Sequence, residues 1–397
     1  MLLINKHPDY GRPLSHHDST LLSVGAAAEV ERFLACRAGH EATPLHALPG
    51  LAGELGLGAI GVKDEGSRLG MGSFKALGGS YAVIRLVIEE ASRKLKRPVD
   101  PSEITFPEIK RIAETMTFSC ATDGNHGRSV AAGAQLTGAK AVIFVHEGVS
   151  DERTAAIARF GARMIRVPGN YDESVAVANR MCRENGWTVV SDTSWPGYER
   201  IPGLVMQGYT AMLNEAIRAL PKRPTHVFVQ AGVGGLAAAV AGYFDAVYPA
   251  ERPKFIVVEP DRAACLFESA VAGEARKIDH REPTIMAMLE CYEPSLVAWR
   301  ILSRQADAFM TVSEDDAKEA MRRFADPVAG DPPVVAGESG AAGLAGLLRL
   351  SREGDAWRSL SLDHASRVLL INTEGATDRG RYRSIVGRLP EDVLRSH

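Results

Sequence analysis

Lys75 stands in a stretch of the 397-residue chain where a lysine side chain could do covalent chemistry. Residues 74–79 read Phe-Lys-Ala-Leu-Gly-Gly, and residues 80–94 have the pattern of a helix. Burial among apolar neighbours lowers the pKa of a lysine, and the neutral amine is the form that makes a Schiff base. The same pattern also fits a lysine whose aliphatic stem covers a packed helix start. This stretch alone leaves both interpretations open.

A glycine-rich segment, Gln-Ala-Gly-Val-Gly-Gly-Leu at residues 230–236, follows a predicted strand and opens a predicted helix. Glycines let backbone N–H groups approach an anion, and the helix start adds unpaired N–H groups and the positive end of the helix dipole. Phosphate binding is therefore the favoured interpretation. The spacing is not G-x-G-x-x-G, although Glu259 lies about where a dinucleotide-binding fold has its acidic residue. Dinucleotide binding and a plain tight turn are the alternatives.

A polar loop at residues 119–127, Ser-Cys-Ala-Thr-Asp-Gly-Asn-His-Gly, links another strand to a helix start. Thr122 and Asn125 at a helix N-terminus would suit a substrate carboxylate, and Asn125 could also donate to a phenolic oxygen. Asp123 would repel a carboxylate unless it performs acid–base work or meets an amine. The alternative is that Thr122 or Asp123 simply caps the helix.

Asp192 ends a further predicted strand and brings a second carboxylate to the edge where parallel sheets place their sites. A turn-forming aspartate explains its position about as well. His126, taken alone, is interpreted as a structural histidine.

Strands alternate with helices in two parts of the chain, which predicts parallel sheets covered by helices. We therefore expect an α/β fold of two domains, each with a mainly parallel sheet, and a ligand site in the cleft between them. The large, cofactor-binding domain is placed at residues 1–75 and 191–397, and a small mobile domain at residues 76–190.

Composition excludes several classes of protein. The chain is 45% hydrophobic and 24% charged, with a formal net charge of −3, so no basic surface for nucleic acid is indicated. No apolar run approaches the length of a membrane helix, and the N-terminus does not resemble a signal peptide, so a cytoplasmic protein is expected. The five cysteines are dispersed, which indicates neither a metal site nor a disulfide framework.

In this order, the lysine, asparagine and glycine segments resemble those of the fold-type-II pyridoxal-phosphate enzymes, over nearly the whole chain. Within that group they are most similar to the diaminopropionate ammonia-lyase family. The similar stretches are residues 63–65, 74–79, 121–127, 192–195, 206–209 and 284–287. Dehydratases of the group carry Ser-Gly-Asn-His in the asparagine loop and lack the carboxylate that Asp123 supplies.

The resemblance implies pyridoxal 5′-phosphate as cofactor. Lys75 would hold it as a Schiff base, Phe74 would pack near its ring, and Asn125 would hydrogen-bond its ring hydroxyl. Backbone N–H groups would hold its phosphate, from Gly232, Val233, Gly234, Gly235 and Leu236.

The partner of the pyridine nitrogen is implied to be Thr373. The family often has Ser-Thr-Glu-Gly where this chain has Asn-Thr-Glu-Gly at residues 372–375, which leaves Asn372 as the alternative. A neutral partner would keep the nitrogen unprotonated and so favour elimination over transamination.

The implied reaction is the α,β-elimination of D- and L-2,3-diaminopropionate to pyruvate and ammonia. Lys75 would be the base for the L-isomer and Asp123 the base for the D-isomer. Thr122, Asp123 and Asp192 would bind the substrate, the two carboxylates attracting its β-ammonium group. The alternatives are a pyridoxal-phosphate lyase or dehydratase for another β-substituted amino acid, such as serine or threonine, and a nucleotide-binding α/β protein without a Schiff base.

The resemblance also suggests a homodimer, whereas no metal, nucleic-acid or membrane partner is expected. Cys265 and Cys291 lie in segments expected to border the cleft. They form a hypothetical redox-sensitive pair, although two reduced buried cysteines are the more ordinary expectation in a cytosolic protein.

Overall fold

The computed structural model describes residues 1–37, 39–122, 124–169 and 171–395. Its strands, in chain order, are β1 (Leu2–Ile4), β2 (Leu45–Ala47), β3 (Ala59–Asp64), β4 (Thr117–Ala121), β5 (Lys140–His146), β6 (Arg163–Val167), β7 (Thr188–Val189), β8 (His226–Gln230), β9 (Lys254–Pro260), β10 (Ala308–Val312) and β11 (Arg367–Asn372). Short 3₁₀ helices cover Arg68–Gly70, Pro101–Glu103 and Ala287–Leu289.

The α-helices are α1 (His16–Leu21), α2 (Val24–Ala35), α3 (Pro49–Glu54), α4 (Lys75–Leu95), α5 (Pro107–Ala113), α6 (Asn125–Thr137), α7 (Asp151–Ala158), α8 (Tyr171–Asn185), α9 (Arg200–Ala219), α10 (Gly235–Val247), α11 (Cys265–Ala272), α12 (Leu296–Gln305), α13 (Glu314–Ala325), α14 (Ala342–Ser351), α15 (Gly354–Ser359), α16 (Arg379–Val386) and α17 (Pro390–Arg395). Each helix of the described chain is too short or too polar to span a membrane.

The chain divides into two compact units. The first comprises residues 1–24, 41–74 and 212–397, and the second comprises residues 25–40 and 75–211. This division differs from the boundaries expected from the sequence at residues 25–40 and 191–211. The assignment of cofactor binding to one domain and mobility to the other stays a prediction.

Packing within the second unit explains the difference. The ring of Phe33 on α2 meets Tyr81 of α4 edge-on, with centroids 5.1 Å apart. Glu29 on α2 also pairs with Arg85 of α4. On α9, a Cβ added to Gly208 would lie 2.9 Å from the Cα of Gly78. Helices α2 and α9 therefore pack on α4, which sequence alternation alone does not indicate.

The first unit contains a seven-stranded sheet in the order β1-β10-β9-β8-β11-β3-β2. The five inner strands run parallel, while the short edge strands β1 and β2 pair antiparallel with their neighbours. All five residues of β8 and of β10 are buried, as is typical of strands covered by helices on both faces. The core beside this sheet includes Val62, Phe228, Val258 and Leu370.

The second unit contains a four-stranded, fully parallel sheet in the order β6-β5-β4-β7. Val142 and Phe144 of β5 pack there with Val167 of β6 and Ala178 of α8. The predicted α/β fold with two mainly parallel sheets is confirmed. The carboxyl ends of the strands lead directly into the candidate site segments, at Ala121, Val189, Gln230 and Asn372.

Candidate active site

Lys75 is the first residue of α4, as expected from the sequence. Just before it, the backbone N–H of Phe74 donates to the carbonyl of Thr373 at 3.0 Å. Phe74 itself is buried, with 9% of its surface exposed. This hydrogen bond fixes the chain at the entry to the helix that carries the lysine.

The small residues after Lys75 have a packing role. A Cβ added to Gly78 would lie 2.5 Å from Cε1 of Tyr209, and one added to Gly79 would lie 3.0 Å from Oγ of Ser129. The hydroxyls of Ser80 and Ser129 donate to the carbonyl of Ala76 at 2.6 and 3.2 Å. These glycines therefore let neighbouring helices approach the first turns of α4 and hold it rigidly.

The amine of Lys75 lies against a carboxylate. Its Nζ is 2.7 Å from Oδ2 of Asp192, and the two side chains are 21% and 19% exposed. Burial opposes the charge of Asp192, but the ammonium of Lys75 outweighs it and brings the pKa of Asp192 well below its ordinary value. The structure thus joins two residues that are 117 positions apart in the sequence.

His126 lies beside the same carboxylate. Its Nε2 is 2.8 Å from the carbonyl of Val190, so this nitrogen carries the proton and donates it. Its Nδ1 is 3.9 Å from Oδ2 of Asp192 and has no hydrogen-bond partner among the described residues. Burial lowers the pKa of His126, although Asp192 opposes that shift. His126 is therefore a neutral group at the site, a placement that the sequence did not predict.

The asparagine loop positions its residues at the start of α6. The hydroxyl oxygen of Thr122 accepts from the N–H groups of Gly124 and Gly127 at 3.0 and 3.1 Å. Thr122 therefore binds an N–H group in the first turn of α6, although the N-cap residue is Gly124, and its contact with substrate stays a prediction. Asn125 is the first residue of α6 and is 8% exposed. Asp123, predicted to be catalytic, lies outside the described residues.

A buried ionic network holds the segment that leads to Phe74. Arg68, which is 0% exposed, donates to both carboxylate oxygens of Glu65 at 2.8 Å and to those of Glu215 at 2.9 and 2.6 Å. Lys63 donates to Oε2 of Glu215 at 2.6 Å. Burial opposes the charge of Arg68, but the two carboxylates outweigh it and raise its pKa. Two cations and two anions thus neutralise each other inside the first unit.

The glycine-rich segment forms the turn between β8 and α10. Gly234 adopts a φ of 97°, a left-handed conformation that favours glycine, and it is the N-cap of α10. A Cβ at Gly234 would also lie 3.1 Å from the Cβ of Ala298. The backbone therefore exposes the first N–H groups of a 13-residue helix, as phosphate binding requires.

The side chains of Asn372 and Thr373, at the end of β11, have different hydrogen-bond partners. The side-chain amide of Asn372 donates to Oδ1 of Asp64 at 2.7 Å and to the carbonyl of Val335 at 3.1 Å. The hydroxyl oxygen of Thr373 instead accepts from Nε2 of Gln230 at 2.9 Å. Both donors of Asn372 are used, so Thr373 is the better candidate for the ring nitrogen.

Glu259, Cys265 and Cys291 have surroundings that indicate a role in the fold. Both carboxylate oxygens of Glu259 accept backbone N–H groups at the start of α11, from Leu266 at 2.8 Å and Phe267 at 2.7 Å. Burial raises its pKa to about 8, although these two hydrogen bonds oppose the shift. Within the described residues, Cys265 and Cys291 are not joined by a disulfide.

The two thiols lie close to the glycine-rich turn. Sγ of Cys265 donates to the carbonyl of Gly232 at 3.7 Å. A Cβ added to Gly232 would lie 2.9 Å from Sγ of Cys291. Both cysteines therefore help to shape the turn.

These observations fit pyridoxal phosphate. The glycine-rich turn offers a phosphate cradle in the first N–H groups of α10, and its Gly232 and Gly234 lie too close to Cys291 and Ala298 for side chains. Lys75 offers a primary amine held by a carboxylate. In the described chain no acceptor receives the hydroxyl proton of Thr373, which a pyridine nitrogen would accept.

Sequence reasoning missed His126, Gln230 and Tyr209 as contributors to the site. His126 and Gln230 are buried polar residues at strand or helix ends, which is the signal that could have found them. Tyr209 is 2% exposed, and burial raises its pKa. Its contact with Gly78 depends on helix packing, which no local pattern shows.

Comparison with known proteins agrees with this geometry. The family model described as "Pyridoxal-phosphate dependent enzyme" matches residues 37–373. Over 375 residues the chain is 40% identical to the diaminopropionate ammonia-lyase of Escherichia coli (strain K12), a match that covers 93% of each chain.

Two solved structures of the E. coli ammonia-lyase are also similar. One is the complex with an aminoacrylate-PLP azomethine reaction intermediate, with a TM-score of 0.86 and 38% identity over 97% of this chain and 96% of that chain. The complex with D-serine has a TM-score of 0.87 and 37% identity over the same shares. A nucleotide-binding protein that lacks pyridoxal phosphate is therefore the wrong interpretation. The chain belongs to the pyridoxal-phosphate dependent enzymes and has the fold-type-II architecture of the diaminopropionate ammonia-lyases.

Proposed function

We propose that this enzyme eliminates ammonia from D- and L-2,3-diaminopropionate and yields pyruvate and ammonia. The observation that carries the proposal is the carboxylate of Asp192, held 2.7 Å from the amine of Lys75. A half-buried carboxylate beside Lys75 suits a substrate with a second ammonium group. An enzyme for hydroxyamino acids has no use for that charge.

The proposed cofactor contacts follow from the chain's own groups. Lys75 holds pyridoxal phosphate through its ε-amine, Phe74 packs near the ring, and Asn125 hydrogen-bonds the ring hydroxyl. Thr373 faces the ring nitrogen. The phosphate is held by backbone N–H groups of Gly232, Val233, Gly234, Gly235 and Leu236.

The bound cofactor supplies an electron sink that makes the Cα proton of the substrate acidic. Lys75, once the substrate amine has taken its place, removes that proton from the L-isomer. Asp123 removes it from the D-isomer. Asp192 attracts the β-ammonium group, which leaves as ammonia, and Thr122 contributes to substrate binding together with Asp123.

Activity on the D-isomer draws support from the relative that binds D-serine. The test compares Asp123→Asn with the native protein on both isomers of diaminopropionate, with pyruvate as readout. We expect the variant to lose activity on the D-isomer far more than on the L-isomer. Equal losses on the two isomers would contradict the two-base scheme.

We further propose a cytoplasmic homodimer with a large cofactor-binding domain, residues 1–75 and 191–397, and a small mobile domain, residues 76–190. The absence of disulfides among the five cysteines of the described chain is in keeping with a reducing compartment. The dimer rests on family resemblance. Sedimentation equilibrium of the purified protein tests it, and a monomer at micromolar concentration contradicts it.

A further inference from the structure

Gln230 is a buried amide whose hydrogen bonds converge on one end of β11. It is the last residue of β8 and is 1% exposed. Its Nε2 lies 3.0 Å from the carbonyls of Ser339, Gly340 and Ile371 and 2.9 Å from Oγ1 of Thr373. The two N–H groups of the amide are thus shared among four acceptors.

This arrangement fixes the orientation of the amide. If the amide were flipped, its oxygen would face three carbonyl oxygens, none of which can donate a hydrogen bond. The Oε1 atom, in contrast, has no hydrogen-bond partner in the part of the chain that the structure describes, and it would lie 3.3 Å from a Cβ added to Gly343. Gln230 is therefore a donor toward Thr373 and cannot act as an acceptor.

The donor character of Gln230 determines the direction of the Thr373 hydroxyl. A hydroxyl has one proton and two lone pairs, and the N–H of Gln230 occupies a lone pair. The proton of Thr373 must then point elsewhere. Among the described residues no acceptor receives it, although Thr373 is only 3% exposed. A buried donor without an acceptor indicates a ligand atom with a free lone pair.

We propose that Gln230 is a positioning residue that makes Thr373 a hydrogen-bond donor to the ring nitrogen of pyridoxal phosphate and so keeps that nitrogen unprotonated. The inference rests on the proposed role of Thr373. A hydroxyl gives up its proton far less readily than a protonated pyridine does, so the proton stays on the oxygen. Gln230 also immediately precedes the glycine-rich turn, so one residue couples the phosphate cradle to the partner of the ring nitrogen.

The test measures the ¹⁵N chemical shift of the ring nitrogen in holoenzyme reconstituted with ring-¹⁵N-labelled pyridoxal phosphate. The native protein should show an unprotonated, hydrogen-bonded nitrogen, and a protonated nitrogen would overturn the proposal. Thr373→Ser should keep the native shift. Thr373→Val should move the shift to that of a pyridine without a donor and weaken cofactor binding roughly 2- to 10-fold, as loss of one hydrogen bond predicts.

Gln230→Met, a substitution of similar shape, should move the shift in the same direction as Thr373→Val. It should have no further effect on the shift when combined with Thr373→Val, because Gln230 acts through that hydroxyl. Gln305→Met is the matched control: this buried amide of the first unit donates to the carbonyl of Arg12 at 3.3 Å, and its loss should leave the shift unchanged.

A native shift in folded Gln230→Met would show that Gln230 serves the fold only, and the proposal would be wrong. Gln230→Leu repeats the test if Gln230→Met does not fold. If both Gln230 variants fail to fold while Thr373→Val folds, Gln230 is a structural residue only, and the proposal is again wrong. Measuring the ¹⁵N shift requires bound cofactor but no turnover. An enzyme that shows the predicted shifts but does not react with diaminopropionate would therefore refute the proposed substrate and leave the role of Gln230 intact.

Discussion

Nζ of Lys75 lies 2.7 Å from Oδ2 of Asp192, a pair that joins the first residue of α4 to the loop after β7. The charge of Lys75 helps to keep Asp192 ionised, because it lowers the pKa of that carboxyl. If Lys75 holds the cofactor, as proposed, its nitrogen is no longer a free ammonium group beside Asp192. A substrate with a β-ammonium group restores that partner, which links cofactor loading to substrate choice.

Replacing Asp192 with Asn should therefore impair diaminopropionate more than serine. The lost attraction is that of a hydrogen bond to a charged group, about 1.5–3 kcal/mol. We expect kcat/KM for diaminopropionate to fall roughly 10- to 150-fold relative to kcat/KM for L-serine. Steady-state kinetics of pyruvate release on both substrates measures this ratio, and equal losses on the two would show that Asp192 does not recognise the β-ammonium group.

His126 should make the folded protein acid-sensitive. Burial holds its pKa below the ordinary value of about 6.5, so below that pH the unfolded chain binds a proton that the folded chain does not. Stability therefore falls as the pH drops below about 6.5, at up to about 1.4 kcal/mol per pH unit for this group. In His126→Asn, denaturant unfolding between pH 7 and 5 should show a shallower decline. An unchanged slope would contradict the prediction.

The contribution of the ionic network around Arg68 to stability should require every one of its charged members. Arg68→Met leaves the buried carboxylates of Glu65 and Glu215 with only Lys63 nearby, and loss of one partner from a buried pair costs about 3–5 kcal/mol. We expect a large fall in the denaturant midpoint of the first unit. Arg93→Ala, which removes a surface pair with Glu90, is the control and should leave the midpoint unchanged. Similar midpoints for the two variants would refute a structural role for the network.

Close helix packing at Gly78 should not tolerate a methyl group. The added Cβ of Gly78→Ala would lie 2.5 Å from Cε1 of Tyr209 and 2.7 Å from the carbonyl of Val205, which is overpacking at a cost of about 1–3 kcal/mol. Gly53→Ala, in a helix with nothing within 4 Å, should cause no loss. Thermal unfolding of the two apoproteins makes the comparison. A Gly78→Ala protein as stable as the native one would show that the helices can separate without cost.

The parallel α/β architecture followed from the sequence because strand and helix patterns are local, and chain order restricts how such elements combine. The glycine-rich turn was equally readable, since Gly234 needs a left-handed φ that few other residues adopt. The sequence did not indicate the packing role of Gly78. Local sequence around Lys75 does not indicate that the neighbour of Gly78 is Tyr209, 131 positions later.

The sequence also did not predict polar pairs between residues that lie far apart in the chain. Arg68 and Glu215 are 147 positions apart, and no periodicity relates them. Gln230 and Thr373, separated by 143 positions, meet because β8 and β11 are neighbours in the sheet. The compact units differ from the expected domain boundaries around α2 and α9 for the same reason, since the contacts of these helices with α4 depend on three-dimensional packing.

The most direct test of the central claim is pyruvate formation by the native holoenzyme from D-diaminopropionate, L-diaminopropionate, L-serine and L-threonine at equal concentrations. Lys75→Ala, which cannot hold the cofactor through an amine, is the blank. We predict that both isomers of diaminopropionate react faster than serine or threonine, and that Lys75→Ala is inactive on all four. Faster turnover of L-serine than of either diaminopropionate isomer would contradict the account and make the enzyme a dehydratase.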